Sequence, residues 1–371
     1  MIIRIEDIKN ACAKILPAVD VNNYSIVTET VQLSVENEVL TLSVTNKEYF
    51  VAVKIPVPKE PDFLATVNAQ LFLKLISNIT TETVQFTVSD NYLKIKGNGN
   101  YKLPLIFDGD SILEQPKIVI ENKTQELTIE GEMLHSICNY NLKELSKGGG
   151  ALFPIQNFFY LDEQGCVTFT SGACVNQFKL SESVKVLLTT KLVKLFKLFD
   201  SSDIVNFTIG KDTVSKELTQ TKVMFNTDNI MLVAILPSDD SEISKFPVTA
   251  IRNRAFDKYD HTVTFNKEYL LQAITRLLIL SSDSKIDQYL NLTFNEYKVV
   301  LQSHDNSSQE EVIYEKEIEM GGEEYNMSID ANDLRATLAS CNESYVSFSF
   351  GNHQAVTISR GKVINVISEK V

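Results

Sequence analysis

Val67-Asn68-Ala69-Gln70-Leu71-Phe72-Leu73-Lys74-Leu75-Ile76 is followed, after a polar break at Thr80-Thr81-Glu82, by Val84-Gln85-Phe86-Thr87-Val88. The arrangement returns twice. Leu188-Thr189 opens a run to Lys197, broken at Ser201-Ser202-Asp203 and followed by Val205-Asn206-Phe207-Thr208-Ile209. Ile329-Asp330 opens a run to Leu338, broken at Asn342-Glu343-Ser344 and followed by Val346-Ser347-Phe348-Ser349-Phe350. In each copy 17 positions separate the leading aliphatic residue from the valine of the later segment. Asn68, Thr189 and Asp330 carry side-chain oxygens suited to accept a hydrogen bond from a first-turn amide. Apolar residues then recur at three- and four-residue spacing, which predicts about three helical turns. The alternation that follows predicts a strand. Three copies at one internal spacing are the mark of a repeat architecture.

Working outward, each copy is preceded by a weaker helical pattern with an acidic first turn: Ile5 through Leu16, Glu130 through Leu145, and Asn266 through Leu280. Paired strands follow each of these: Val31–Val35 with Val39–Thr45, Phe158–Leu161 with Cys166–Thr170, and Leu290–Phe294 with Val299–Ser303. Glu36-Asn37-Glu38, Asp162-Glu163-Gln164-Gly165 and Asn295-Glu296 suit the bends between them, and Gly97-Asn98-Gly99 reads as a further hairpin turn. Polar, proline-containing linkers fall near 108–123 and 238–260. The expectation is an α+β chain of three tandem domains, 1–121, 122–252 and 253–371. Each should pack two helices on one face of antiparallel sheets.

A chain of 371 residues is long enough for two or three domains. Hydrophobic residues make up 44% and charged residues 22%, a globular composition, and no apolar run reaches the roughly 18 residues needed to span a bilayer. Met1-Ile2-Ile3-Arg4-Ile5-Glu6-Asp7 is acidic and lacks a secretory pattern, so a cytoplasmic location is expected. Cys12, Cys138, Cys166, Cys174 and Cys341 are odd in number and widely spaced, which points to buried free thiols rather than disulfides or a zinc site. His135, His261, His304 and His353 show no metal-ligand spacing. Gly148-Gly149-Gly150 lacks the Gly-Lys-Ser/Thr ending of a phosphate loop, and no Gly-x-Ser-x-Gly elbow occurs. Neither an enzyme nor a cofactor or metal site is expected.

The net charge of −13 argues at first against a nucleic-acid partner. Its distribution argues the other way. The six expected helices, 5–18, 68–79, 131–147, 189–199, 267–281 and 331–341, hold eleven basic residues against six acidic ones. The basic set is Lys9, Lys14, Lys74, Lys143, Lys147, Lys191, Lys194, Lys197, Lys267, Arg276 and Arg335. The helices therefore carry +5 and the rest of the chain −18. Most of the helical acids sit in first turns, where the helix dipole favours them. Lys191, Lys194 and Lys197 form one stripe opposite Leu192, Leu195, Phe196 and Phe199. A polyanion facing the helices and water facing the sheets accounts for this bias. Such contacts are sequence-independent, and a closed ring of self-associated chains supplies the persistence that a weak positive face lacks.

The whole chain, with its length, threefold repeat, two helices per repeat and net acidity, resembles the bacterial beta sliding clamps, the beta subunit of DNA polymerase III. The departures below suit a divergent or bacteriophage-encoded member. The resemblance implies three clamp-fold domains with helices lining a central hole and sheets outside, assembled as a head-to-tail homodimer. Double-stranded DNA is the implied partner, with a clamp loader, DNA polymerase and repair factors that dock through short peptides. The family's Thr-Asp-Gly-His-Arg-Leu run is matched by Thr170-Ser171-Gly172-Ala173-Cys174-Val175, in which only Thr170, Gly172 and the aliphatic Val175 agree. Its Phe-Pro appears as Phe246-Pro247, with Ile251 nearby, and Ala355, Val366 and Ile367 stand for the remaining pocket walls. The tail lacks the family's Met-Pro-Met. For the ring joint the resemblance points to Tyr101, Ile279 and Leu280. The competing reading is a repeat-built protein-interaction scaffold that does not encircle DNA.

Overall fold

The computed structural model describes the chain except for residues 21–24, 60, 146–153, 171, 216–217, 237–239, 281–287 and 371. Among the described residues the fold is α+β, with two four-stranded and two eight-stranded antiparallel sheets and a small hairpin, Phe107–Asp108 with Ser111–Ile112. Contacts divide the chain into two compact units, Met1–His135 with Lys191–Asp239 and Ser136–Thr190 with Asp240–Val371. The middle repeat contributes to both.

In the first unit one sheet runs Ile2–Arg4, Thr83–Ser89, Tyr92–Lys96, Asn100–Pro104. The eight-stranded sheet joins four strands of the middle repeat to four of the first, through Ile230–Leu236 lying antiparallel to Tyr49–Pro56 with Leu232 opposite Val51. The second unit repeats the device. Ala173–Gln177 of the middle repeat pairs with Val363–Ser368 of the third, Val175 opposite Ile364. Its other sheet runs Gln309–Ile313, Lys298–Ser303, Tyr289–Phe294, Tyr325–Asp330. The hairpin bends expected from sequence are present: Asn37 and Glu38 both take positive φ, and Gly165 sits at φ 127°.

All six expected helices form, with local differences. Asn68 Oδ1 accepts from the Leu71 amide at 3.0 Å, and Asp330 Oδ1 accepts from the amides of Asn332 and Asp333 at 2.9 and 3.0 Å. The helix Thr190–Lys194 tightens into a 3-10 turn at Leu195–Leu198. The expected 131–147 helix is Gly131–Ser136, a π turn at Ile137–Asn141, then Leu142–Leu145. Asn141 is fully buried there and donates to the carbonyls of Cys166 and Cys174 and to Thr168 Oγ1. The expected 238–260 linker contains two helices, Asp240–Lys245 and Val248–Ala255. Val248, Ile251 and Ala255 lie at three- and four-residue spacing, an apolar stripe too short to stand out among polar neighbours.

Aromatic rings fill the cores. Phe207 stacks on Phe225 at 4.4 Å with Phe196 edge-on at 4.9 Å, and in the second unit Phe294 stacks on Phe350 at 4.0 Å. Arg360 is a buried cation beside the second sheet junction. It donates to Ser340 Oγ and Asn365 Oδ1 at 2.7 Å and lies 4.6 Å from the centre of the Tyr140 ring.

All five cysteines are buried and free. Burial pushes the Cys12 thiol up to about 12 and holds Cys166 well above the ordinary thiol value. The folded chain therefore keeps protons that the unfolded chain loses near pH 9, and stability falls as pH rises past that point. We expect iodoacetamide to leave the folded chain unlabelled at pH 8 and to label all five thiols in urea. The urea midpoint should drop between about pH 9 and pH 11. Rapid labelling of the folded chain would contradict this burial.

Candidate nucleic-acid and peptide interfaces

The basic residues of the helices differ in exposure and in their partners. Lys191, Lys194 and Lys197 are exposed, with Leu192, Leu195, Phe196 and Phe199 buried behind them. The 3-10 turn, with three residues per turn, stacks Lys194 directly above Lys197. Lys74, Lys143 and Arg335 are also exposed, and Lys9 is half-exposed. Among the described residues no carboxylate pairs with Lys9, Lys74, Lys194, Lys197 or Arg335. Others are engaged: Lys14 with Asp200 at 3.0 Å, Lys191 with Glu48 at 3.0 Å, and Arg276 with Glu310 through two bonds of 2.7 and 2.9 Å. Lys267 Nζ donates to the Cys341 carbonyl at 3.2 Å. The lysine pairs are solvent-exposed and are each worth at most about 1 kcal/mol, so a phosphate competes with them readily. The Glu310 contact turns Arg276 toward the strand Gln309–Ile313, a direction sequence spacing did not disclose. Lys147 lies outside the described residues.

A second feature is an apolar cluster in the second unit. Val175, Ile251, Ala355 and Val366, named from sequence, share it with Tyr160, Val167, Leu187, Phe246 and Ala255. Ile155, Phe158, Phe169, Val248 and Ile364 are only partly buried against it. Phe246 stacks on Tyr160 at 5.1 Å and meets Phe169 edge-on at 5.2 Å. Thr170 and Gly172 lie between the strands Gly165–Phe169 and Ala173–Gln177, the Thr170 amide donating to the Gly172 carbonyl at 2.7 Å, and the Thr170 hydroxyl is buried with no hydrogen-bond partner among the described residues. Pro247 is exposed at the N-cap of the Val248–Ala255 helix. Ile367 departs from the expected set. It packs in the third repeat's core with Val356 and Ile358, because neighbouring strand residues face opposite sides and Val366 already faces the cluster. Sequence reading missed Tyr160, Phe158 and Phe169, which look like ordinary strand residues until Phe246 reaches them. Arg252 also escaped it. Both arms of its guanidinium donate to Asp162 at 2.6 Å, and Asp162 is 4% exposed.

Of the residues expected at a ring joint, one lies on an end strand and two on a helix. Tyr101 is half-buried on Asn100–Pro104, which ends its sheet. Ile279 is 65% exposed on the helix Lys267–Leu280. Leu280 closes that helix, and its side chain lies outside the described residues. Ile313, 74% exposed on the end strand Gln309–Ile313, and Tyr269, 67% exposed, line one cleft with Arg276 of the same helix.

No group of three or more potential ligands able to hold a metal occurs among the described residues, and no helix there is long and apolar enough to cross a membrane.

Residues 1–110 match the family described as DNA polymerase III beta subunit, N-terminal domain. The "Beta sliding clamp" of Mycoplasmopsis pulmonis is 28% identical over 121 residues, 32% of this chain and 31% of that relative, so the match spans about a third of the relative's length. Over the full chain the fold is that of the sliding clamps. The Bacillus subtilis DNA polymerase sliding clamp superposes with a TM-score of 0.79 at 17% identity, covering 100% of this chain and 98% of the other. The Pseudomonas aeruginosa DNA polymerase III subunit beta gives 0.80 at 15%, covering 100% and 99%. The Helicobacter pylori beta clamp bound to DNA ligase peptide gives 0.75 at 16%, also covering 100% and 99%.

Phe246 joins the 238–260 segment to the cluster by burying a whole ring between two others. Truncating it to alanine is expected to cost about 3 kcal/mol in urea unfolding of this unit. A loss below about 1 kcal/mol would mean that the stack does not hold the segment.

Proposed function

We propose that this chain, with the sliding-clamp fold throughout and the DNA polymerase III beta subunit's N-terminal domain at its start, is a DNA sliding clamp: a non-catalytic ring that encircles duplex DNA and tethers polymerase and other replication or repair proteins. The observation that carries this is the charge split, with exposed lysines on repeated helices in a chain that is otherwise strongly acidic. In this reading the helical faces of the three repeats, 1–121, 122–252 and 253–371, meet the phosphates without reading bases. A clamp loader opens the ring in the cytoplasm.

Ring closure follows from the sheet junctions. Within each repeat, Tyr49–Pro56, Ala173–Gln177 and Gln309–Ile313 hold equivalent places, as do Asn100–Pro104, Ile230–Leu236 and Val363–Ser368. Two of each kind are already paired, first repeat to second and second to third. Asn100–Pro104 and Gln309–Ile313 remain at sheet ends, one at each end of the chain. A second copy placed head to tail satisfies both. Helices follow the same rule: the first helix of one repeat touches the second helix of the next, as Lys14 reaching Asp200 illustrates. The joint then brings Ile279 and Leu280 toward Leu71 and Lys74 of the other copy, beside Tyr101. The apolar cluster around Phe246, Ile251 and Val366, with Thr170, Gly172, Val175, Pro247 and Ala355, is the docking site for partner peptides.

Sedimentation equilibrium should give twice 41.7 kDa for the unaltered chain. Ile279→Asp, which sets a carboxylate in the joint, should give the mass of one chain. An unchanged mass for the variant would remove the Lys267–Leu280 helix from the joint.

Loaded on nicked circular DNA, the ring should stay bound and leave when the circle is linearised. Lys191→Glu/Lys194→Glu/Lys197→Glu should shorten retention by about tenfold at physiological salt without lowering the unfolding midpoint. A chain whose DNA binding ignores linearisation is a scaffold rather than a clamp, and unchanged retention by the triple variant would take that stripe away from the DNA.

A further inference from the structure

Tyr160 and Asp162 lie two residues apart on the strand Phe158–Asp162, and each anchors the helical segment that ends the middle repeat. Phe246 stacks on Tyr160, and Arg252 forks over Asp162. Val248 and Ile251, the half-buried residues that border the docking cluster, lie between these anchors in sequence. The Val248–Ala255 helix has eight residues, well under the roughly 12–15 at which an isolated helix becomes even marginally stable in water. Its position must come from its contacts. An aromatic stack permits sliding and rotation, whereas a two-armed guanidinium–carboxylate bond fixes distance and orientation together. A cleft of about 730 Å³ runs along the helix, lined by Val248 and by Arg252 itself together with Gln164, Thr249, Asn253 and Phe256.

We propose that the Arg252–Asp162 pair is a positioning device that holds the Val248 and Ile251 wall of the docking cluster, and so sets how tightly that cluster grips the apolar side chains of a partner peptide. The inference rests on the peptide-docking reading above. A buried ion pair adds little net stability compared with apolar residues of the same volume, so geometric control is the role that accounts for its presence here. Arg252 need not touch the peptide.

The test uses the full-length chain and a fluorescein-labelled hexapeptide carrying a Leu-Phe pair, read by anisotropy, with the unfolding midpoint measured in parallel. Arg252→Lys keeps the charge and loses the fork; it should weaken binding about tenfold. Arg252→Met should do the same and also lower the midpoint, because it strands the Asp162 charge. Asp162→Asn/Arg252→Met removes both charges and keeps the acceptor that the Gln164 amide uses at 2.9 Å. This double variant should recover the midpoint while its affinity stays about tenfold low. Recovery of both midpoint and affinity, or full affinity in Arg252→Lys, would overturn the positioning role and leave the docking site standing. Failure of the unaltered, correctly assembled chain to bind the peptide would overturn the docking reading, and this inference with it.

Discussion

A strand at the end of a sheet presents a row of amides and carbonyls with no partner, and the architecture of this chain is organised by how those rows are filled. Each repeat carries two four-stranded ladders. Left alone, each ladder would expose two edges. Instead Tyr49–Pro56 takes Ile230–Leu236 as its neighbour, and Ala173–Gln177 takes Val363–Ser368. Each compact body therefore holds an eight-stranded ladder together with a four-stranded one, and the bodies do not coincide with the sequence repeats. Backbone bonding across each repeat boundary joins half of the middle repeat to its neighbour, so that repeat is shared between the units. The same constraint gives meaning to Asn100–Pro104 and Gln309–Ile313, the two strands of these kinds left at sheet ends, since each offers the edge that the other kind pairs with.

The cationic helical faces depend on that scaffold. Helices such as Thr190–Lys194 with its 3-10 extension are short and would not persist alone. Burying Leu192, Leu195 and Phe196 against the ladder fixes which side of the turn is left for Lys194 and Lys197. Placement of charge is therefore a consequence of apolar packing. Acidic residues elsewhere are not neutral bystanders. Glu48, Asp200 and Glu310 each hold a basic residue of the helical set, so the field offered to a polyanion is weaker than a residue count suggests.

What was legible in the sequence was whatever is encoded locally. Asn68 and Asp330 announce their helices because a cap needs only its own next turn, and alternation such as Val346-Ser347-Phe348-Ser349-Phe350 announces a strand because pleating is local. The π turn at Ile137–Asn141 was not legible. It exists so that Asn141 reaches carbonyls on two strands some 25 and 33 positions away, and no local pattern records that need. The apolar cluster around Phe246 was half legible for a similar reason. Val175, Ile251, Ala355 and Val366 converge as expected, but assigning Ile367 beside Val366 ignored the pleat, and the bond from Arg252 to Asp162 spans 90 positions. Short strands such as Ile2–Arg4 escaped because three residues are too few to show a period.

A weak cationic face is a sufficient design for a ring, and a strong one is not better. Each phosphate neutralised releases counterions, and the resulting affinity rises steeply with the number of contacts. A chain with many unopposed lysines on its helices would bind the duplex tightly and pay for every step along it by breaking those contacts. Here only some of the helical cations are unopposed among the described residues, and the acidic remainder of the molecule disfavours any other surface as a binding face. If the chain is the ring proposed above, persistence comes from its closure, which makes the end strands as important to DNA association as the lysines. On this reading the charge pattern chooses which face meets DNA, the sheet edges determine how long the chain stays, and neither element has to be strong because they act on different quantities.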